Sequence, residues 1–223
     1  MTLNLPNPIL YLITRGATTE ASTPDSKEFR RILDQVSAAV SAGIQLIQIR
    51  EKQLRAQVLF ELTIAAVALA RGSSTRVLVN DRADIAAGAG AAGVHLTTRS
   101  VAPAAIRKTF GKKFLIGVST HSVLEVHEAC GGGADFAVFG PVFPAPSKEK
   151  YGPPLSPVKL SEAARGLPSF PLLALGGISL DNMNECLLAG ASGLAAITLF
   201  GEPDTLANTV EQIKELARID CSN

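Results

Sequence analysis

Gln48-Ile49-Arg50-Glu51-Lys52 sets an amide, a guanidinium and an ammonium at alternate positions. In an extended chain, alternation sends Gln48, Arg50 and Lys52 to one side. Cations buried together without a counter-ion are costly. A phosphate or diphosphate supplies that counter-ion, and arginine grips it through paired N–H bonds. The competing reading is a solvated helix start, with Glu51 pairing locally. A second cluster, Asn80-Asp81-Arg82-Ala83-Asp84, follows another apolar run. A carboxylate facing a diphosphate repels it unless a divalent cation lies between them. Mg2+ suits that place, because it binds through one or two carboxylates plus substrate phosphates. Asp81 is therefore a candidate Mg2+ ligand, with a helix N-cap as its alternative role; Asp84 is a further candidate cap.

A third cluster is Ser119-Thr120-His121-Ser122. Hydroxyls and an imidazole at a strand end suit proton transfer or phosphate contact, which makes Ser119 and His121 catalytic candidates. Ser122 and Glu125 also have capping-box spacing, and the two readings are compatible. His95 lies alone in an apolar run and reads as a satisfied core residue with no catalytic role. A proline-rich stretch from Gly140 to Pro157 carries Lys148, which can close over an anion. A loop of that length inside a compact domain is usually functional. Gly176-Gly177 and Thr198 offer bare amides and a hydroxyl for a monophosphate. The pattern thus predicts two anion sites, one diphosphate-sized with metal and one for a monophosphate.

Something must bring these clusters together. Short apolar runs at Ile9–Thr14, Leu46–Ile49, Arg76–Asn80, Gly93–Leu96, Leu115–Ser119, Phe136–Phe139, Leu172–Leu175 and Gly193–Thr198 read as strands. Helical periodicity fills most of the gaps, at Ser26–Ala42, Val58–Ala70, Val123–Cys130, Leu180–Ala189 and Thr205–Leu216, with a reduced helix between Ile85 and Leu96. Apolar strands alternating with helices imply a parallel sheet covered by helices. Eight such units in 223 residues predict one (β/α)8 TIM-barrel domain spanning the chain. Its polar clusters would gather at the C-terminal ends of the strands. Glycines at Ala42-Gly43, Ala92-Gly93, Gly133-Ala134 and Gly190-Ala191 would end helices and turn the chain into the next strand. An open doubly wound sheet is the alternative, but no GxGxxG follows the first strand.

Composition narrows the function. The formal net charge is +1 and aromatics make up 5% of the chain, which argues against a nucleic-acid partner. No apolar stretch is long enough to span a bilayer. The first residues lack the pattern of a secretory signal, so a cytoplasmic enzyme is expected. Cys130, Cys186 and Cys221 are odd in number and widely spaced, so they predict neither a disulfide framework nor a zinc site.

Taken in order, Gln48-Ile-Arg-Glu-Lys52, Val79-Asn-Asp-Arg82, Gly93-Val-His-Leu96, Gly117-Val-Ser-Thr-His121, Gly140-Pro-Val-Phe143, Lys148 and Leu175-Gly-Gly-Ile178 resemble the thiamine phosphate synthase family and its relative, thiazole tautomerase. The resemblance runs from about Leu10 to Phe200. It implies condensation of hydroxymethylpyrimidine pyrophosphate with thiazole phosphate, giving thiamine phosphate and pyrophosphate. It implies that Gln48, Arg50, Lys52, Asn80, Ser119 and Lys148 hold the pyrimidine diphosphate, with Ile49 and Glu51 in the same segment, and that Asp81 holds Mg2+. Gly176, Gly177, Ile197 and Thr198 would hold the thiazole phosphate, helped by Ala145, Pro146 and Ser147. Phosphorylated pyrimidine and thiazole substrates are the implied partners, and a homo-oligomer is left open. The chain departs from the family pattern after the fourth strand. There Thr97-Thr98-Arg99-Ser100 lacks the acid that serves as a second Mg2+ ligand. Only Ser147 keeps a hydroxyl in a loop that is threonine-rich in the family. These departures keep two alternatives open: a thiazole tautomerase using His121, and a non-catalytic thiazole phosphate-binding barrel. An epimerase-type barrel would need paired acids or metal-binding histidines at strand ends, which are not seen.

Overall fold

In a computed structural model, eight parallel strands close into a barrel in sequence order. The structure describes Leu3, residues 5–144 and residues 153–220, with backbone alone at 219 and 220. The strands are β1 (Ile9–Ile13), β2 (Leu46–Ile49), β3 (Arg76–Asn80), β4 (Gly93–Leu96), β5 (Leu115–Thr120), β6 (Phe136–Phe139), β7 (Leu172–Leu175) and β8 (Gly193–Ala196). The helices are α1 (Lys27–Ala42), α2 (Ala56–Ala70), α3 (Ala83–Gly88), α4 (Pro103–Phe110), α5 (Val123–Gly131), α6 (Ser156–Gly166), α7 (Met183–Leu188) and α8 (Pro203–Asp220). Among the described residues closure leaves no free sheet edge: β8 pairs with β1 from Ile9↔Gly193 to Leu12↔Ala196.

Alternation along the strands makes two cores. Outward residues such as Leu12, Ile47, Ile49, Val79 and Leu194 pack beneath the helices. Inward residues such as Tyr11, Leu46, Leu78, Phe136, Leu173 and Ala195 fill the barrel. The interior is therefore packed side chain and not a pore, and polar inward residues have room only where the strands end.

Local chemistry explains the element ends. The Ser26 hydroxyl caps α1 by accepting from Phe29 N, and Gly43 closes it in the left-handed region at φ 77°. Gly133 and Gly190 also have positive φ between a helix and a strand. Gly93 differs from the sequence expectation. It opens β4, where a Cβ would come within 2.0 Å of Leu115 O, so its task is strand approach and not helix termination. Proline in the first turn starts α4 and α6, two helices that periodicity left unmarked. Helix α7 begins at Met183 and not at Leu180, because Asn182 Oδ1 accepts from Ser179 N and holds a turn there. Below the barrel, Asp135 Oδ2 accepts from Ile116 N and Arg107 Nη2, each at 2.7 Å, and ties β5, β6 and α4 together.

Candidate active site

The inward, C-terminal positions of β2 to β5 are polar. Gln48 ends the inward row of β2 and is 2% exposed; its Nε2 donates to Asn80 Oδ1 of β3 at 3.0 Å. His95 of β4 is equally buried and lies 2.9 Å from Ser119 Oγ of β5 through Nε2. Asn80 and His95 are paired in register. Four adjacent strands therefore present Gln48, Asn80, His95 and Ser119 as one continuous polar rim.

Arg50 follows β2 and is half-buried. Its backbone N donates to Thr14 Oγ1 at 2.8 Å, and its guanidinium lies against Gly16 in the loop after β1. Its charge reaches His95: burial pushes the His95 imidazole down to about 3, and the Arg50 charge adds to that shift. His95 is thus neutral at physiological pH, and Arg50 brings the fixed charge to this part of the rim.

Glu51 has a different task from the one the sequence suggests. It is 2% exposed, and both oxygens are filled by the chain. Oε1 accepts from Thr14 Oγ1 and Gly16 N, and Oε2 accepts from Thr18 N and Thr18 Oγ1. Glu51 therefore braces the loop against which Arg50 rests and has no lone-pair direction left for substrate. Ile49 also turns away. Its side chain is fully buried in the outer core under the helices. Lys52 does not continue the inward row, because β2 ends at Ile49 and Lys52 stands exposed in the following turn.

Asp81 follows β3, is exposed, and adopts φ 58°. Aspartate is among the few residues that tolerate the left-handed region. The conformation is pinned by Asp81 N donating to His95 O at 2.9 Å. Asp81 does not cap α3. Nor does Asp84, which lies inside α3 in a forked pair with Arg82, its Oδ1 and Oδ2 at 2.9 and 2.6 Å from Nε and Nη2. That hydrogen bond from Arg82 lowers the Asp84 pKa from its usual value. Asp81 is left as the carboxylate that the β3 end offers the mouth. After β4, Thr97 N donates to Ser100 Oγ at 2.7 Å and the two hydroxyls lie 3.0 Å apart, so this turn closes on itself. Among the described residues no cluster of three His, Cys, Asp or Glu could hold a metal. A single carboxylate fits Mg2+ only where diphosphate oxygens and water complete its octahedral shell.

His121 is exposed, yet its ring is oriented: Nδ1–H donates to Gly140 O at 2.5 Å. In the neutral ring this leaves Nε2 as an acceptor. The capping box forms with a shift of one residue. Ser122 Oγ accepts from Glu125 N, but Glu125 Oε2 reaches back to His121 N.

The mouth near β7 and β8 is built from backbone. Gly176 and Gly177 have φ 99° and 64°. A Cβ on Gly176 would lie 2.6 Å from Pro141 Cβ, and one on Gly177 would lie 2.4 Å from Pro144 O. The loop after β6 lies directly on them, with Val142 N donating to Leu175 O and Phe143 N to Gly176 O. Strand β8 stops at Ala196, so Ile197 and Thr198 lie beyond it in a turn closed by Gly201 N donating to Thr198 O. Ile197 is half-buried and Thr198 is exposed. Arg15, which the sequence reading passed over, packs on Gly201 and pairs with Glu202 at 2.8 Å. Ala145, Pro146, Ser147 and Lys148 lie outside the described residues.

The family model for thiamine monophosphate synthase matches residues 10–200. A putative thiamine-phosphate synthase of Geobacter sulfurreducens is 42% identical over 176 residues, 78% of this chain and 82% of that protein. The thiamine-phosphate synthase of Chlorobium luteolum is 37% identical over 220 residues, covering 97% of this chain and 98% of the relative. Among solved structures, thiamine phosphate pyrophosphorylase from Pyrococcus furiosus superposes with a TM-score of 0.78 at 26% identity, over 95% of this chain and 96% of that one.

Proposed function

The chain belongs to the thiamine monophosphate synthase family, and we propose that it carries out the family's condensation at a mouth divided into two anion-holding halves. It is a transferase that joins hydroxymethylpyrimidine pyrophosphate to thiazole phosphate. The bond from the pyrimidine methylene carbon to the diphosphate oxygen breaks, and a bond from that carbon to the thiazole nitrogen forms. The products are thiamine phosphate and pyrophosphate. No side-chain nucleophile is needed. The observation that carries the reading is the polar rim Gln48–Asn80 and His95–Ser119, with Arg50 above it, at the strand ends of a chain that matches the family from residue 10 to 200.

In this reading Arg50 takes the diphosphate, and Gln48, Asn80 and Ser119 supply neutral hydrogen bonds around it. Charge builds on the departing diphosphate in the transition state, so preorganised donors there lower the barrier. Asp81 is the residue that would hold Mg2+. When bound, the metal would neutralise diphosphate charge as the leaving group departs. The apolar inward residues Ile13, Val138, Leu175 and Ile197 shield a transient pyrimidine cation from water. The thiazole phosphate lies against the amides of Gly176 and Gly177 and the Thr198 hydroxyl. In the described residues no helix is long and apolar enough to cross a membrane.

Incubation with both phosphorylated precursors and Mg2+ tests the reading. Thiamine phosphate and pyrophosphate should appear in equal amounts. A protein that instead aromatises the thiazole phosphate tautomer, and loses that turnover in His121→Gln, would be the tautomerase. The oriented His121 ring and the acid-free turn after β4 are the features that favour that second reading.

A further inference from the structure

Under the polar rim lies a chain of hydrogen bonds that the reaction as described leaves unused. Tyr11 of β1 is fully buried in the barrel, and its Oη lies 3.1 Å from His95 Nδ1. On the other side of the ring, His95 Nε2 lies 2.9 Å from Ser119 Oγ. The three residues form a file from the barrel centre to the mouth. We propose that Tyr11 and His95 are positioning residues that commit the Ser119 hydroxyl to donate its hydrogen into the mouth, to an anionic oxygen of the diphosphate. This rests on the synthase reading of the mouth.

The direction of the file follows from what each atom can do. Tyr11 Oη has His95 as its hydrogen-bond partner, and around it stand apolar inward residues such as Leu46, Leu78 and Phe136. A buried O–H with no acceptor loses the water it gave up without recompense. The tyrosine hydrogen therefore goes to Nδ1. A neutral imidazole that accepts at Nδ1 carries its hydrogen on Nε2. A doubly protonated ring would likewise leave the tyrosine hydrogen without an acceptor, so both nitrogens do not donate at once. Nε2–H then donates to Ser119 Oγ, and the serine's own hydrogen has to point elsewhere. Ser119 is half-buried at the strand end, and the direction left to it is the mouth. In the reverse arrangement Ser119 would donate to Nε2 and Nδ1–H would donate to Tyr11. Ser119 would then offer the diphosphate only lone pairs, and the tyrosine hydrogen would be stranded in an apolar core.

The barrel is shaped to hold this file still. Tyr11 and Phe136 meet edge to face at 5.5 Å between centroids, and Tyr11 and His95 tilt together at 5.6 Å. Gly117, beside His95 in register, provides the slot. A Cβ there would lie 2.4 Å from Phe136 Cζ and 2.7 Å from His95 Nδ1. Two aromatic rings and a glycine thus hold the imidazole in place.

The test begins with the unmodified protein. Long-range 1H–15N correlation of its three histidines at neutral pH, with His95 assigned by loss of its signals in His95→Gln, should show Nδ1 bare and Nε2 protonated. Nδ1 protonated in that ring would overturn the proposal. Tyr11→Phe preserves the packing and removes only the O–H, so the His95 tautomer should shift toward Nδ1–H or become mixed. Binding of inorganic pyrophosphate with Mg2+, followed by calorimetry, should weaken roughly 3- to 10-fold in Tyr11→Phe. The same substitution should change nothing further in a Ser119→Ala background. An equal loss in both backgrounds would mark Tyr11 as merely structural and overturn the relay. Should the protein bind no pyrophosphate, the reading of the mouth falls and the named acceptor with it, while the tautomer still decides the Tyr11–His95 file separately.

Discussion

The β2–β5 side of the mouth and the β7–β8 side are made by opposite means. On the first, side chains supply the chemistry: Gln48, Asn80, His95 and Ser119 form the rim, and each is held by a neighbour on the next strand. On the second, backbone leads: Gly176 and Gly177 present it against the Pro141–Pro144 loop with no space for a Cβ. In the function proposed above, the difference suits the two ligands. A diphosphate that departs needs charge and directed donors where negative charge builds. A monophosphate that only anchors a substrate needs a snug nest of amides. The polar half also depends on a residue whose oxygens are all taken up by the chain itself. Glu51, with four acceptor bonds to the β1 loop, keeps in place the loop that backs Arg50.

The comparison can be broken at specific residues. The largest effect is expected at Asp81. Asp81→Asn keeps a residue that tolerates φ 58° and removes the charge. Turnover at saturating thiazole phosphate should fall about 100-fold or more, with the thermal midpoint unchanged; wild-type rates in this variant would remove Asp81 from the metal's ligands. Next is Glu51→Gln, whose amide nitrogen must face donors already pointing at it. It should cost about 1–3 kcal/mol of stability in urea unfolding and weaken pyrophosphate more than thiazole phosphate. Equal weakening of both would mean that the β1 loop serves the two halves alike.

The smallest effect is on pH dependence. The folded His95 pKa lies near 3, below its unfolded value, because burial and then Arg50 disfavour the charged ring. The unfolded chain therefore binds the extra proton first. This contribution to stability is full above the unfolded pKa of about 6.5 and is lost as pH falls toward 3, by at most about 1.4 kcal/mol per pH unit. Urea midpoints at pH 7 and pH 5 should separate further in the wild type than in His95→Gln. Identical separations would show that the buried ring is not excluded from protonation.

Much of this was legible in the chain and some was not, for identifiable reasons. The strands stood out because both faces of a barrel strand are buried, which makes each a short apolar run. The apolar pattern carries strand β8 two residues too far, since Ile197 continues it although the turn to Gly201 has begun. Alternation placed Gln48 correctly inward but was carried too far. It holds only while the chain is extended, and β2 ends before Lys52. His95 reads as core from the sequence and is buried; a lone histidine carries no sign of its neighbours on other strands. The signal that could have found its role is register. Gly117 and Ser119 share the inward parity of β5, and His95 is the inward residue of β4 beside them. The bracing role of Glu51 is not legible in the sequence, because its partners Thr14, Gly16 and Thr18 lie more than thirty residues earlier in the chain.

The division of the mouth is most directly tested by crossing two variants with two ligands. Arg50→Ala and Gly177→Ala are each titrated by calorimetry with Mg2+-pyrophosphate and, separately, with thiazole phosphate. The account predicts that Arg50→Ala loses pyrophosphate by roughly tenfold or more and keeps thiazole phosphate, while Gly177→Ala, with its Cβ driven against Pro144 O, does the reverse. If both variants lose both ligands to the same degree, or if Arg50→Ala binds pyrophosphate as the wild type does, the mouth is not built in two halves.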